Sequence, residues 1–298
     1  MINGIIIIDK EPGFTSHDVV AKLRGICGQK KIGHTGTLDP MATGVLPVCL
    51  GSGTRLCDLL ADRDKEYVTE LLLGVATDTQ DLTGRVLAEK PVEVDADQVR
   101  TVCESFLGDY EQVPPMYSAL KVDGKRLYEL ARAGREVERK ARTVKITELE
   151  ILECSLPVVR MRVVCSKGTY IRTLCADIGR KLGCGGTMKS LRRTRVGKFK
   201  LEGAMTLNEL QQLKNQDRLT EAVLPVDSVF ENCPALHVSA ENQRLLDNGN
   251  AVYPGQTLEN ICYEPGQWVC FYREDGSFGG IYAYDGQKQW YRPVKMFL

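Results

Sequence analysis

Three histidines, His17, His34 and His237, are all the imidazole in the 298-residue sequence, and no two stand at the helical spacing of a metal-binding pair. A zinc or iron centre therefore has no support, and neither a metal nor an organic cofactor is expected. The eleven cysteines include no C-x-x-C arrangement. Cys49, Cys103, Cys165 and Cys175 stand among apolar neighbours, so reduced, buried thiols are expected. No apolar run approaches the roughly 18 residues that a membrane span needs. The N-terminal run Ile5 to Ile8 is cut off by Asp9 and Lys10 and reads as a buried strand. With no basic segment, longer apolar stretch and small-residue cleavage site in succession, no secretory signal is read, and a soluble protein of the cytoplasm is expected. Internal repeats and low-complexity tracts are missing, which excludes a solenoid. A G-x-x-x-x-G-K-[ST] phosphate loop is missing too, and Gly51-Ser52-Gly53 lacks the third glycine of a dinucleotide fingerprint.

Net charge is also absent, since 39 Lys and Arg balance 39 Asp and Glu, but the average conceals an asymmetry. Residues 121–200 carry 21 basic side chains against 8 acidic ones, and residues 160–200 carry twelve against one, Asp177. Unopposed like charge repels itself, so a zone of this density points to a polyanionic partner. Apolar residues at 43% and charged residues at 26% are ordinary globular composition. The length accommodates a large domain, placed at residues 1–232, and a small one at 233–298.

The pattern predicts a strand at residues 4–8, a turn through Pro12 and Gly13, and a helix capped by Ser16 that buries Val19, Val20 and Leu23. From Lys30 to Gly53 the crowding of Gly, Thr and Pro predicts mostly loop. Thr54 is expected to cap a short helix, and Tyr67, Thr69, Leu71 and Leu73 alternate as one face of a strand. Asp95 caps a helix carrying Val99, Val102, Phe106 and Leu107 and ending at Gly108. Residues 112–142, basic, turn-rich, poor in core residues and with an Asp123-Gly124 turn, read as a protruding mobile arm. Residues 143–153 and 158–165 read as paired strands, and Tyr170 to Leu182 as a helix. After 233, one helix near Glu241 to Asp247 and four Pro-Gly or Asp-Gly punctuations predict a small β-rich unit. The fold class expected is α+β, a mixed and mainly antiparallel sheet flanked by helices and loops.

Chemistry centres on Gly33-His34-Thr35-Gly36-Thr37-Leu38-Asp39-Pro40-Met41-Ala42-Thr43-Gly44. Small residues let backbone approach a bulky ligand, and Pro40 restrains the residue before it, presenting Asp39 on a stiff tip. Spacing alone allows a plain Asp-Pro turn equally well. The segment closely resembles the signature of the bacterial tRNA pseudouridine synthase B family. Asp9-Lys10-Glu11-Pro12-Gly13, Lys65-Glu66-Tyr67, Thr77-Asp78-Thr79-Gln80-Asp81 and Lys167-Gly168-Thr169-Tyr170-Ile171-Arg172 match further family motifs in order.

That resemblance implies isomerisation of uridine 55 in the T-loop of tRNA to pseudouridine, by glycosidic cleavage, base rotation and rejoining through C5. It implies Asp39 as the catalytic carboxylate. Attack on the sugar, attack on the base and removal of a ribose proton all remain open for it. By the same resemblance Arg172 pairs with Asp39, Tyr67 stacks on the target base with a hydroxyl near the C5 proton, and His34 fills the space of the everted nucleotide. Lys10, Asp81 and Leu191 match positions lining the site. Lys121, in the insertion that closes over the T-arm, and Arg192, Arg193 and Arg195 are candidates to meet backbone phosphates. Residues 233–298 resemble a PUA-like RNA-binding module. The expected partner is the tRNA T-arm, with no guide RNA, no membrane and a monomeric enzyme.

Three rivals stand beside this reading. A non-catalytic RNA chaperone would use the same basic surface. A nucleoside or glycoside hydrolase would need a second carboxylate or a water-activating group, for which Asp81 is the only nearby candidate. A guide-RNA-dependent subunit belongs to the wider family, and the insertion argues against it.

Overall fold

The computed structural model describes residues 1–122 and 124–298. Strand β1 (Gly4–Lys10) leads into helix α1 (Ser16–Cys27), β2 (Ile32–His34) and β3 (Thr43–Leu50). A 3-10 turn at Gly51–Leu56 runs into α2 (Cys57–Ala61), then β4 (Lys65–Leu73), the hairpin β5 (Val75–Thr77) and β6 (Val86–Glu89), α3 (Ala96–Glu104) and β7 (Gly108–Gln112). The insertion holds β8 (Lys121–Val122), β9 (Lys125–Arg126) and α4 (Leu127–Arg132). Strands β10 (Arg142–Ser155) and β11 (Val158–Cys165), helix α5 (Ile171–Lys181), β12 (Gly186–Val196), β13 (Phe199–Lys200) and α6 (Leu207–Asn215) follow. The C-terminal part holds β14 (Ala235–Val238), α7 (Gln243–Asp247), β15 (Trp268–Arg273), β16 (Phe278–Asp285) and β17 (Trp290–Met296).

Nine strands form one sheet in the order β1-β3-β12-β4-β11-β10-β7, with β2 on β3 and β13 on β12. All pairings are antiparallel except β12 with β3. The α+β expectation of a mixed, mainly antiparallel sheet therefore holds. A second sheet runs β14-β15-β16-β17.

The apolar run of β1 is continuous because both its faces are covered. Ile6 and Ile8 join α1, α3, α5 and α6 in the main core, whereas Ile5 and Ile7 pack with Phe199, Phe230, Cys270, Ile281 and Phe297. The C-terminal sheet thus shares apolar packing with the back of the large sheet, and also has its own core around Leu236, Phe271, Tyr282 and Tyr291.

Several expectations need correcting. Thr15, not Ser16, caps α1: its hydroxyl accepts from Asp18 N–H and the Asp18 carboxylate accepts from Thr15 N–H. Thr54 caps no helix and bonds back to Gly51 O within the 3-10 turn. The stretch 30–53 is not mostly loop, because Thr43–Leu50 is a nearly fully buried strand. Pro47 argues against a central strand by lacking an N–H, but it still offers its carbonyl to Thr35 N–H. The insertion is not poor in core, since Leu127 and Leu130 are buried. Asp123 of the expected Asp123-Gly124 turn lies outside the described residues. Strand β12 carries four charged residues among its eleven and has no alternation to betray it.

Candidate active site

The loop between β2 and β3 is held at nearly every residue. Ser16, buried at the start of α1, accepts a hydrogen bond from Leu38 N–H at 2.9 Å. Lys10, at the end of β1, donates to Pro40 O at 3.0 Å, Ala42 O at 2.7 Å and Glu11 O at 2.9 Å. Gly13 N–H also donates to Pro40 O, and Ala42 N–H closes a turn on Asp39 O. Gly36 N–H donates to His34 Nδ1 at 3.3 Å. Gly44 adopts φ +101°, and a Cβ there would lie 2.1 Å from Arg193 O, so only glycine permits β12 to join β3 at this point. The result is a rigid tip from which Asp39 projects.

Asp39 keeps about a third of its side chain exposed, while Arg172, near the N-terminus of α5, is almost fully buried against it. Arg172 Nε lies 2.9 Å from Asp39 Oδ2 and Nη2 lies 3.3 Å from Oδ1, a two-pronged pair. The same guanidinium donates to Thr79 O at 3.1 Å and Tyr117 O at 2.8 Å, and its Nη1 lies 3.5 Å from Asp81 Oδ2. Loss of solvent pushes the Asp39 carboxyl above the usual carboxylate range; the Arg172 charge opposes this, and Asp81 adds to it. Asp81 is itself fixed by Thr79 Oγ1 at 2.7 Å and Thr83 N–H at 2.9 Å.

Around this pair the fold gathers most of the expected residues. Burial brings Lys10 down to about 8, with Asp39 opposing and Arg193 adding to the fall. His34 is brought down to about 4 by burial, then by His17 and Arg193, so its imidazole is neutral at pH 7. Its ring meets that of His17 edge-on at 5.2 Å, although the two stand far apart in sequence. Tyr67 on β4 is buried, with its phenol pushed up by desolvation and the Arg193 charge acting against that rise. Leu191, half-buried on β12, pairs in register with Thr69, as Arg193 does with Tyr67, so the two pairs share one face of the sheet.

Two positions fall outside this cluster, and a third lies within it in a place other than the expected one. Lys121 is exposed in the insertion. Arg192 alternates to the other face of β12 and is held by Asp9 at 2.7 Å. Arg193 is 1% exposed and so does not reach a surface phosphate as its sequence neighbourhood suggests. Instead its Nε donates to Val45 O at 2.7 Å and its Nη2 to Gly36 O at 3.3 Å.

The structure also adds residues that sequence reasoning did not single out. Tyr170 lies close enough to feel both Arg172 and Asp39, and its backbone is clamped by the buried Gln112 at 2.7 and 3.0 Å. Tyr170 stands two places before Arg172 in the same motif, which was the available signal. Tyr117 contributes through a backbone carbonyl, which leaves no mark in sequence, and Ser16, expected as a cap, contributes instead by accepting from Leu38 N–H in the loop. A cavity of about 340 Å³, lined by Gln80, Glu111, Val113, Arg139, Thr173, Asp177 and Arg180, opens where the insertion meets α5. Among the described residues no three potential ligands gather as a metal site would need, and no helix is long and apolar enough to cross a membrane.

A mixed sheet presents one tethered, partly exposed carboxylate, paired to a buried arginine and flanked by an aromatic ring, an arrangement suited to chemistry centred on a single acid. The model of the TruB family pseudouridylate synthase N-terminal domain matches residues 24–171, and that of the tRNA pseudouridylate synthase B C-terminal domain matches residues 172–231. A protein of Lachnoclostridium phytofermentans named tRNA pseudouridine synthase B is 50% identical over 307 residues, covering 100% of both chains. One of the same name from Alkaliphilus oremlandii is 46% identical, covering 100% of this chain and 99% of its own. Among solved structures, a chain of an H/ACA ribonucleoprotein bound to a substrate RNA containing 2′-deoxyuridine is 27% identical with a TM-score of 0.72, covering 99% of this chain and 85% of its own. The chain belongs to the TruB family of pseudouridylate synthases.

Proposed function

We propose that this protein isomerises a uridine of tRNA to pseudouridine, that the target is uridine 55 in the T-loop, and that Asp39 is the catalytic group. The observation that carries the reading is the Asp39–Arg172 pair, two-pronged at 2.9 and 3.3 Å on a loop whose every turn is tethered. A carboxylate held this way stays ionised and aimed while presenting its open side to a ligand. Isomerisation neither adds nor removes an atom, so one carboxylate suffices as the central group.

A uridine within a folded T-loop must be turned out to meet Asp39, at about a few kcal/mol of unstacking. Tyr67 offers a face for the everted base, and the neutral His34 ring offers an uncharged surface for the space it vacates. Lys121 in the insertion and the half-exposed Arg192 meet phosphates, giving affinity without sequence choice. Residues 1–232 act as the catalytic domain, with 112–142 as the insertion over the T-arm and 233–298 as a PUA-like RNA-binding module. The enzyme works in the cytoplasm as a monomer.

The test is tritium release from a T-arm transcript labelled at uridine C5, with the purified protein and no guide RNA. Release by wild type and none by Asp39→Asn supports the reading. Release only after a guide RNA is added would assign the chain to the guided mode instead. Binding without release under either condition would leave an RNA chaperone.

A further inference from the structure

Arg193 is among the largest fully buried side chains of the molecule, and among the described residues no carboxylate oxygen lies within 4.0 Å of its guanidinium. A buried cation without an anionic partner is costly, because it surrenders hydration for contacts with neutral groups. The two carbonyls it holds are Gly36 O and Val45 O, which bracket Asp39 in sequence. Its charge is also felt at Lys10 and Tyr67, both of which feel Asp39, and at His34 at the start of the Asp39 loop. With Lys10 and Arg172 it makes three cations against the two carboxylates Asp39 and Asp81, so the resting site carries one positive charge in excess.

We propose that Arg193 is a positioning residue with two linked tasks: it ties both ends of the Asp39 loop to strand β12, and its unbalanced charge stabilises the base as that base leaves the sugar as an anion. This rests on the isomerase reading above. When Asp39 acts at the sugar, the C1′–N1 bond breaks with both electrons passing to the uracil. The base then carries the negative charge that the site lacks. After rotation C5 gives an electron pair to C1′, the bond or proton that Asp39 exchanged with the sugar is given back, the C5 proton departs and N1 gains a proton, so atoms and electrons balance. A preformed cation in a water-poor site favours this charge development without having to reorganise.

The test compares single-turnover loss of uridine with loss of 5-fluorouridine from T-arm transcripts, scored as nucleosides after digestion. Fluorine makes the departing base a better anion, so it relieves a site that has lost its spare cation. For Arg193→Met the ratio of 5-fluorouridine to uridine rates rises about tenfold over wild type, on top of a loss of about 100-fold with uridine, the scale of removing one fixed electrostatic donor. Arg193→Lys keeps the wild-type ratio at pH 7. The ratio is taken within one preparation, so a partly unfolded sample leaves it unchanged.

If Arg193→Met does not fold, Arg193→Lys still decides the matter. A buried lysine there loses its charge as pH rises, as Lys10 and Lys65 do near 8, and its ratio climbs between pH 7 and 9.5 relative to wild type measured alongside. An unchanged ratio in Arg193→Met, or a flat relative profile in Arg193→Lys where Arg193→Met does not fold, overturns the electrostatic role and leaves a structural tie. A wild type that converts neither substrate strikes at the isomerase reading instead.

Discussion

Replacing Arg172 by methionine keeps much of the buried volume and removes the charge beside Asp39. Charge centres about 4 Å apart at an effective dielectric near 20 attract by about 4 kcal/mol. Because 36% of the Asp39 side chain is exposed, solvent screening brings this to about 2 kcal/mol, or roughly 30-fold. Losing the two-pronged aim of the carboxylate adds about another tenfold. The expected result is a kcat lower by about 10²–10³ at pH 7.5, with tRNA affinity changed by less than about threefold. The pH profile gives the sharper reading. Burial already places the Asp39 carboxyl above its ordinary range, so the reactive anion is lost as pH falls through that raised value. Taking away the nearby cation raises it further, and the defect of Arg172→Met is therefore largest in acid and shrinks as pH rises. Tritium release measured from pH 5.5 to 9, with filter binding of the same transcript, checks both parts. A loss shared equally by kcat and binding, and constant with pH, would refute the reasoning and make Arg172 a phosphate contact.

Asp39→Asn removes the charge but little volume, so tritium release falls below detection while filter binding of tRNA stays within about threefold. Tyr67→Phe, from which only the hydroxyl is lost, retains base stacking and RNA binding but forms product at least about tenfold more slowly; full product formation in single turnover excludes the hydroxyl from the chemistry. Gly44→Ala places a Cβ 2.1 Å from Arg193 O at a φ of +101°. Urea denaturation is expected to show a loss of more than about 3 kcal/mol, or no folded protein, and a midpoint equal to wild type would mean that β3 and β12 do not meet so closely.

Tyr67 shows what local pattern reveals. Lys65–Leu73 buries alternate residues without exception, and a period of two is visible in any sequence where one strand face is more deeply covered than the other. The helix at Ile171–Lys181 and the Asp95 cap were legible for the same reason, since both depend on residues within one or two turns. Strand β3 was hidden by Pro47 and its glycine- and threonine-rich approach, and β12 by its charges. Those charges are satisfied by Asp9, Glu66 and backbone carbonyls far away in sequence.

What the amino-acid order determined by itself was the local chemistry: which turns glycine and proline permit, which faces are apolar, and the run of residues around Asp39 that marks the family. The pairing of Arg172 with Asp39 spans 133 positions, and as a contact it is set by packing α5 beneath the loop. The burial of Arg193 was decided by tertiary structure alone. A side chain that reads as a surface cation becomes an interior one when the strand carrying it is placed at the centre of a sheet, because neighbours from β3 and β4 then take the place of water.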